Sequence, residues 1–247
     1  MIVQKQRLDQ ILFNRNLAES KSKAQAMIMA GQVFVEGKPI YKSGFNINHN
    51  ATIEIKNLGP KWVSRGAIKL ITALEKNKIV VKNKICIDLG SSTGGFTDVL
   101  IQNGADKVYA VDVGTNQLHE KLKKNNKIIS LEKTNARYLK KDQFEELIDI
   151  MVCDVSFISL KKVIEPNLNL LKKESIIIAL IKPQFESKKN ETKKGVVKDI
   201  IIHQRICDEI SEWFETLYES RVLSIIESPI KGPKGNVEFL ITVKFQR

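Results

Sequence analysis

The sequence has few of the residues that build disulfides and metal sites. Its 247 residues include only three cysteines and three histidines, all widely separated, and no C-x-x-C pair. A disulfide framework or a zinc site is therefore not expected, and we predict no bound metal. Free thiols are typical of a reducing compartment, which favours a cytoplasmic location.

Long apolar runs are also missing. No stretch of about 18 uninterrupted apolar residues occurs, so a membrane-spanning helix is not expected. The first seven residues contain no apolar core of a secretory signal. These absences argue against a secreted protein, a pore or a stable association with a membrane.

Positive charge is what the sequence has in excess. Lysine and arginine number 40 against 28 acidic residues, which gives a formal net charge of +12 at pH 7. Such an excess favours a polyanionic partner such as nucleic acid. Charge alone does not decide this point, because a lysine-rich composition has other origins.

The first 59 residues have the pattern of a small α+β domain. We expect a helix from near Arg7, a second helix capped by Ser20, and Gly31 just beyond its end. A short strand, a turn and a last strand follow at 33–36, 37–39 and 51–55. A linker near 56–63, rich in Gly, Pro and Asn, separates this domain from residues 60–247.

Residues 60–247 alternate between strand and helix patterns, which is typical of an α/β domain with a mostly parallel sheet. Seven strands are predicted, at 85–89, 107–111, 127–131, 148–153, 176–181, 222–228 and 238–244. The last two are too close for a helical crossover, so we expect them to pair antiparallel. Seven strands with this final pair are the Rossmann-like methyltransferase arrangement.

A glycine-rich loop follows the first of these strands, from Asp88 to Asp98. Such a loop lets a ligand approach the backbone and exposes the amides of the next helix. A Walker A motif is excluded because Phe96 stands where its lysine must be, and Ser92 replaces the second glycine of the dinucleotide fingerprint. The remaining interpretation is the first motif of a methyltransferase that binds S-adenosylmethionine.

Two polar residues at strand ends extend this interpretation. Asp112 closes the second strand, where a carboxylate can accept both hydroxyls of a ribose. Asn135 follows the third strand, where a contact with adenine is expected. The predicted cofactor-binding residues are Gly90, Ser91, Gly94, Gly95, Phe96, Asp112, Asn135 and Asp154.

Asp154 and Lys182 end the fourth and fifth strands, so their side chains should converge at the carboxyl edge of the sheet. Burial and a second cation would favour the neutral form of Lys182, which could then remove a proton from a ribose hydroxyl. Spacing alone makes Lys69 and Glu238 look like ordinary surface charges.

These residues together resemble a known family. The segment 64–70, the loop 88–96, Asp154, Lys182 and Glu238 resemble the FtsJ-type ribose 2′-O-methyltransferases, and Asp154-Val-Ser-Phe-Ile-Ser-Leu160 and Lys182-Pro-Gln-Phe-Glu186 are similar to the TlyA (hemolysin A) family. The resemblance implies 2′-O-methylation of a cytidine in ribosomal RNA. It implies a catalytic tetrad of Lys69, Asp154, Lys182 and Glu238.

The first domain is similar to the RNA-binding domain of ribosomal protein S4, in the segments 7–12, 20–24 and 28–37. Lys21 stands where that domain commonly has arginine, which removes a bidentate phosphate contact. The predicted RNA contacts are Arg7, Lys21, Lys23, Lys61 and Arg65. The partner is then ribosomal RNA or a ribosomal subunit, and oligomeric state is not readable.

Three alternatives stay open at this point. A base-directed RNA methyltransferase is the nearest, although Asp154-Val-Ser-Phe157 lacks the prolines of an [ND]-P-P-[YF] motif and Cys153 fits a core position. A pore-forming hemolysin and a non-catalytic RNA chaperone are the others. The lysine-rich stretch 188–198 is interpreted in the first place as a mobile, solvated loop, and an RNA contact is the second interpretation. Short ends of the chain favour the type that modifies only large-subunit (23S) RNA over the type that also modifies 16S RNA.

Overall fold

The computed structural model describes residues 5–56 and 62–247. The chain divides into two compact units, Met1–Ile68 and Lys69–Arg247. The sequence predicts a boundary at 59/60 inside a linker near 56–63. Residues 57–61 of that linker, including Lys61, lie outside the described residues.

The first unit combines two helices with short antiparallel strands. Its elements are β1 (Lys5–Arg7), α1 (Leu8–Asn14), α2 (Lys21–Met29), β2 (Val33–Val35), β3 (Lys38–Pro39), β4 (Asn46–Asn48) and β5 (Ile53–Ile55). β1 pairs with β4, and β3, β2 and β5 form a three-stranded sheet. Its core gathers side chains from both helices, among them Leu8, Leu12 and Ile28. This is the predicted α+β domain.

Both predicted ends of α2 are confirmed. The Ser20 side chain accepts a hydrogen bond from the Lys23 amide at 3.1 Å, as an N-cap does. Gly31 has φ +70° and donates to the Ile28 carbonyl, while the Gln32 amide donates to Met27. This pair of bonds is a Schellman motif, which glycine favours because it needs a left-handed residue.

The turn predicted at 37–39 is wrong by one residue at its start and two at its end. The turn residues are Glu36 and Gly37, with φ +49° and +75°, and Lys38 and Pro39 already belong to β3. Positive φ at both central residues is the type I′ geometry of two-residue hairpins. Pro39 is tolerated because β3 is an edge strand, where a missing amide breaks no ladder.

The second unit is a seven-stranded sheet with helices. Its strands are β6 (Ile85–Leu89), β7 (Lys107–Val111), β8 (Ile128–Leu131), β9 (Ile148–Cys153), β10 (Leu171–Ile181), β11 (Arg221–Glu227) and β12 (Phe239–Gln246). Its helices are α3 (Ala67–Asn77), which begins two residues before the unit, α4 (Gly95–Gln102), α5 (Glu120–Lys123), α6 (Lys161–Ile164), α7 (Pro183–Glu186) and α8 (Ile200–Glu215). The strand order is β11-β12-β10-β9-β6-β7-β8.

The strand predictions are largely confirmed. β6, β7 and β9 have the predicted bounds, and β12 pairs antiparallel with both β10 and β11. β10 begins at Leu171, five residues before the predicted start, with a register shift between Leu171 and Ile176. The charged residues Lys172 to Glu174 occupy that irregular part, which hides the strand from an apolar pattern.

Parallel pairing brings the ends of β6, β7, β9 and β10 to one edge of the sheet. The helix α3 is tied to β12, because Asn77 Nδ2 donates to Thr242 Oγ1 at 3.0 Å. This bond fixes the helix that carries Lys69 beside the strand that follows Glu238. The edge and α3 together define the place where the polar side chains meet.

Candidate active site

Four charged side chains from separate parts of the second unit meet at the carboxyl edge of the sheet. Lys182 Nζ lies 2.6 Å from Asp154 Oδ1, and Lys69 Nζ lies 3.4 Å from Asp154 Oδ2. Lys69 Nζ also donates to Glu238 Oε2 at 2.8 Å. The chain of contacts therefore runs from Lys182 through Asp154 and Lys69 to Glu238.

The cluster is withdrawn from water. Lys69, Lys182 and Glu238 are 8%, 7% and 1% exposed. The spacing of Lys69 and Glu238 alone predicts two surface charges. This prediction is wrong, because Lys69 on α3 and Glu238 in the segment before β12 are both buried. Burial acts to raise the pKa of Asp154, but the two lysines outweigh it and hold that pKa below its ordinary value.

Two neutral side chains complete the cluster, and sequence reasoning gave neither a role. Lys182 Nζ donates to Ser156 Oγ at 2.9 Å, and Gln184 Nε2 donates to Glu238 Oε1 at 3.4 Å. Both lie in the segments 154–160 and 182–186 that carry the family resemblance. Their spacing from Asp154 and Lys182 was the available signal.

Glu238 reaches the cluster only because Gly232 makes room for it. A Cβ added at Gly232 would collide with the Glu238 carboxylate. The residue just precedes β12 rather than opening it, and its carbonyl accepts from the Ser228 amide at 2.8 Å. The loop 228–238 therefore determines how far this carboxylate reaches into the cluster.

The glycine-rich loop between β6 and α4 approaches the same edge. Gly90, Ser92 and Gly94 all have positive φ, at +83°, +47° and +92°. A Cβ on Gly90 would lie 3.0 Å from the Asp154 carbonyl oxygen, whereas one on Gly94 would collide with Leu118 and Leu122. Glycine at 90 thus allows a close approach of the loop to β9, and glycine at 94 serves the packing of α4.

A cleft of about 790 Å³ opens beside the cluster. Of the predicted cofactor residues, it is lined by Gly90, Asp112, Asn135 and Asp154. Ser91, Gly94, Gly95 and Phe96 do not line it; Ser91 and Gly94 lie in the loop before α4, and Gly95 and Phe96 begin that helix. The lining that sequence reasoning missed includes Val113, Arg137, Ser156, Phe157, Lys162 and Phe185.

Asp112 is held by backbone amides at the wall of this cleft. Its Oδ2 accepts from the Ser92 amide at 2.8 Å and its Oδ1 accepts from Gly114 at 2.7 Å. An ionised carboxylate has about four acceptor sites, so each oxygen keeps capacity for a hydroxyl. Asn135 caps the turn at Ala136–Tyr138 through the Arg137 amide, at 3.1 Å.

Asp88 carries a polar atom that the protein does not satisfy. Its Oδ2 accepts from the Thr97 amide and hydroxyl at 2.9 and 2.7 Å, but its buried Oδ1 has no hydrogen-bond partner among the described residues. Buried polar atoms are rarely left unpaired. The close approach at Gly90 and the spare acceptor capacity of Asp112, both at the wall of the cleft, fit a small polar ligand with a ribose.

Burial raises the pKa of Asp88 to about 7. An aspartate in the unfolded chain titrates near 3.9, so between about pH 4 and pH 7 the folded chain holds a proton that the unfolded chain has lost. The free energy of unfolding should therefore fall as pH rises through this range. Urea unfolding at pH 5 and pH 8 measures this drop, which Asp88→Asn should reduce. Equal drops in both proteins would contradict it.

An exposed aromatic ring stands at the mouth of the cleft. Phe157 is 89% exposed and has φ +65°, a conformation that a bulky residue rarely adopts. Its ring centroid lies 5.0 Å from that of Phe185. Strained, exposed residues of this kind are typical of binding sites.

The predicted RNA contacts of the first unit are exposed where they are described. Arg7, Lys21, Lys23 and Arg65 have exposed side chains, and Lys61 lies outside the described residues. Arg7 Nε and Nη2 donate to Asp9 at 3.0 and 2.6 Å, which fixes the guanidinium and holds the pKa of Asp9 below its ordinary value. Lys21 and Lys23 lie in the first turn of α2.

Within residues 5–56 and 62–247, no helix is both long and apolar enough to cross a bilayer. The three cysteines are free and buried. No group of three or more potential metal ligands occurs in the same described residues.

Curated relatives match nearly the whole chain. Hemolysin A of Brachyspira hyodysenteriae is 42% identical over 95% of this chain and 98% of that protein. The 16S/23S rRNA (cytidine-2′-O)-methyltransferase TlyA of Mycobacterium tuberculosis is 37% identical over 97% and 90%. The 23S rRNA (cytidine-2′-O)-methyltransferase TlyA of Campylobacter jejuni is 38% identical over 92% and 94%.

A solved structure of a hemolysin-named protein from Streptococcus thermophilus is 36% identical, with a TM-score of 0.73 over 99% of this chain and 90% of that chain. The FtsJ-like methyltransferase family model matches residues 62–245, and the S4 domain model matches residues 6–53. The chain belongs to the TlyA (hemolysin A) family, FtsJ-like methyltransferases with an S4 domain, and its cofactor is S-adenosylmethionine.

Proposed function

We propose that this chain methylates the 2′-hydroxyl of a cytidine in ribosomal RNA, with large-subunit (23S) RNA as the favoured substrate. The observation that carries the proposal is the buried chain of contacts from Lys182 through Asp154 and Lys69 to Glu238, beside the cleft that Gly90 and Asp112 line. A ribose hydroxyl needs one proton removed and one oxygen oriented, and this cluster offers groups for both tasks.

Gly90, Asp112, Asn135 and Asp154 would hold S-adenosylmethionine in the cleft. When bound, the cofactor supplies a methyl group already activated by the sulfonium. Asp112 would accept the ribose hydroxyls of the cofactor, since its two oxygens keep free acceptor capacity. Ser91, Gly94, Gly95 and Phe96 would support the loop instead of lining the cleft.

Lys182 is the proposed base. Its amine lies 2.9 Å from Ser156 Oγ and 2.6 Å from Asp154 Oδ1, so two residues that line the cleft fix its direction. We propose that it accepts the proton of the 2′-hydroxyl as the ribose oxygen gains the methyl group. Lys69 and Asp154 would position the ribose and Lys182, and Glu238 would hold Lys69. Alignment of this kind contributes several kcal/mol to a displacement reaction.

Ribose methylation is favoured over methylation of a base carbon. That reaction needs a cysteine nucleophile, and burial raises the pKa of Cys153 to about 12, which keeps the thiol protonated. Phe157 could bind the base without reacting with it, because its exposed ring at the cleft, next to Phe185, offers a stacking surface. Stacking would hold the nucleotide without any chemistry on the base.

Ribosomal RNA and cytidine come from the names of the relatives in Mycobacterium and Campylobacter, and the Campylobacter name gives 23S RNA alone. The S4 domain, with its exposed Arg7, Lys21 and Lys23, supplies a second RNA-binding surface. This substrate would be met in the cytoplasm.

Transfer of labelled methyl from S-adenosylmethionine to separated 23S and 16S RNA tests the proposal. Alkaline hydrolysis should leave the label in alkali-resistant dinucleotides, because a 2′-O-methyl group blocks cleavage of the next bond. Label released by alkali in mononucleotides would mean that a base is methylated and would refute the ribose assignment. Absence of label from both RNAs would refute ribosomal RNA as the substrate. Label in 16S RNA as well would extend the substrate to both subunits.

A further inference from the structure

The lysine-rich segment after α7 contains a tight hairpin. Lys193 and Val196 form an antiparallel bridge, and their amides donate to each other's carbonyls at 2.9 and 3.1 Å. Lys194 and Gly195, between them, have φ +55° and +78°. This is the type I′ geometry of a two-residue turn. The lysine turn, residues 193–196, is therefore a hydrogen-bonded turn within the stretch 188–198 that the sequence predicts to be a mobile, solvated loop.

A second loop, which contains Asn236 and precedes β12, supports the lysine turn through hydrogen bonds. Asn236 is 3% exposed, and its Nδ2 donates to the Gly195 and Pro233 carbonyls at 3.0 Å each. Its Oδ1 accepts from the Val197 amide at 3.3 Å. The Val197 carbonyl lies 3.0 Å from Nε2 of buried His203. Three of these contacts, from the side chains of Asn236 and His203 to Gly195 and Val197, thus fix the base of the turn.

The surface of these two loops carries unpaired positive charge. Lys193 and Lys194 are exposed and take part in none of the ion pairs found in the described part of the chain. Lys234 joins them, because its Nζ donates to the Lys194 carbonyl at 3.3 Å. Exposed lysines continue on both sides, at 188, 189, 198 and 231.

The nearby acids do not neutralise this patch. Glu191 accepts two bonds from Arg205, both at 2.8 Å, and Glu238 is bound to Lys69. The side chains of Lys193 and Lys194 are not needed to hold the turn, since Asn236 and His203 already do so. An ordered patch of lysine without a carboxylate partner has the chemistry of a phosphate-binding surface.

From this geometry we infer that Lys193, Lys194 and Lys234 bind backbone phosphates of the RNA substrate. The inference rests on the proposed RNA methyltransferase function and adds a contact surface within the methyltransferase unit itself. Asn236 lies two residues before Glu238, so one loop connects the lysine turn to the proposed catalytic cluster. Contacts of lysine with phosphate position RNA without reading its sequence.

The test compares wild-type protein with three variants by fluorescence anisotropy with protein-free 23S RNA over a range of salt concentrations. The test variant is Lys193→Gln/Lys194→Gln/Lys234→Gln. Each phosphate contact contributes about 0.7 to 0.9 to the slope of log affinity against log salt. We expect the slope of the variant to be shallower by about 2, and its Kd at 0.15 M salt to rise about tenfold or more.

The matched control is Lys82→Gln/Lys173→Gln/Lys244→Gln, which removes the same charge from exposed positions at the opposite edge of the sheet. It should keep the wild-type slope. Replacing the three turn lysines by arginine should also preserve binding, because the charge remains. Unchanged binding of S-adenosylmethionine would establish that each variant is folded.

A slope change of less than about 0.7, or one equal to that of the control, would overturn the inference. The measurement needs no methyl transfer, so it is separate from the test of the proposed function. Wild-type protein that binds RNA but transfers no methyl would refute the function, while the comparison of slopes would still decide whether the lysine turn contacts phosphate.

Discussion

Replacing Lys182 by alanine is expected to reduce the turnover number for methyl transfer by about 10³-fold, within the range for loss of a general base. The affinity for S-adenosylmethionine should change little, because the residues proposed to hold it remain. Asp154 keeps Lys69 as a partner at 3.4 Å, so the fold should survive. Labelled methyl transfer to 23S RNA and calorimetric titration with the cofactor provide the two measurements.

Lys182→Arg distinguishes a role of Lys182 in removing a proton from a role of its positive charge. Arginine preserves the positive charge beside Asp154 but does not lose its proton in proteins. If Lys182 is the base, the arginine variant should be as inactive as the alanine variant. Substantial turnover by Lys182→Arg would assign the residue to positioning and would remove it from the base role. Lys82→Ala, at an exposed position at the opposite edge of the sheet, is the control that should keep its activity.

Glu238→Ala should impair both folding and catalysis. The carboxylate is almost completely buried and lies 2.8 Å from Lys69 Nζ. Its loss leaves two lysines sharing Asp154, and removal of one partner from a buried ion pair costs about 3 kcal/mol or more. We expect the free energy of unfolding to fall by about that amount in urea, and turnover to fall by about 100-fold as Lys69 loses its support.

The double variant Lys69→Met/Glu238→Leu tests whether these two effects have separate causes. Replacing a whole buried pair by apolar side chains is often neutral for stability, so this variant should unfold close to wild type. It should still be inactive, since Lys69 is gone. An active double variant would show that Lys69 and Glu238 only support the fold. A Glu238→Ala protein as stable as wild type would show that the ion pair contributes little.

The sheet was predictable because its strands are apolar and bounded by turn residues. β6, β7 and β9 are buried along their whole length or nearly so, and an apolar run marks such strands clearly. The start of β10 was not predictable in this way, because Lys172, Lys173 and Glu174 interrupt the pattern. The short strands β1 and β4 were also missed, since three residues of mixed polarity show no period.

The meeting of two of the four proposed catalytic residues can be predicted from the sequence alone. Asp154 and Lys182 end neighbouring parallel strands, so their convergence is a consequence of topology. Lys69 and Glu238 are different, because one lies on a helix before the sheet and the other in a loop before its last strand. Family resemblance selected them. For Ser156 and Gln184 the sequence offers one signal, their closeness to Asp154 and Lys182, whereas the contacts of Asn236 depend on the folded loops.

The position of Glu238 has a consequence for synthesis of the chain. Protein chains are made and folded from the amino end, and β12 must insert between β10 and β11 to bring Glu238 against Lys69. The strands β6 to β10, and the whole S4 domain, can form while that carboxylate is still missing, whereas β11 must wait for β12, the strand with which it pairs. A nascent chain would therefore present the exposed Arg7, Lys21 and Lys23 of its S4 domain before the proposed catalytic cluster is complete.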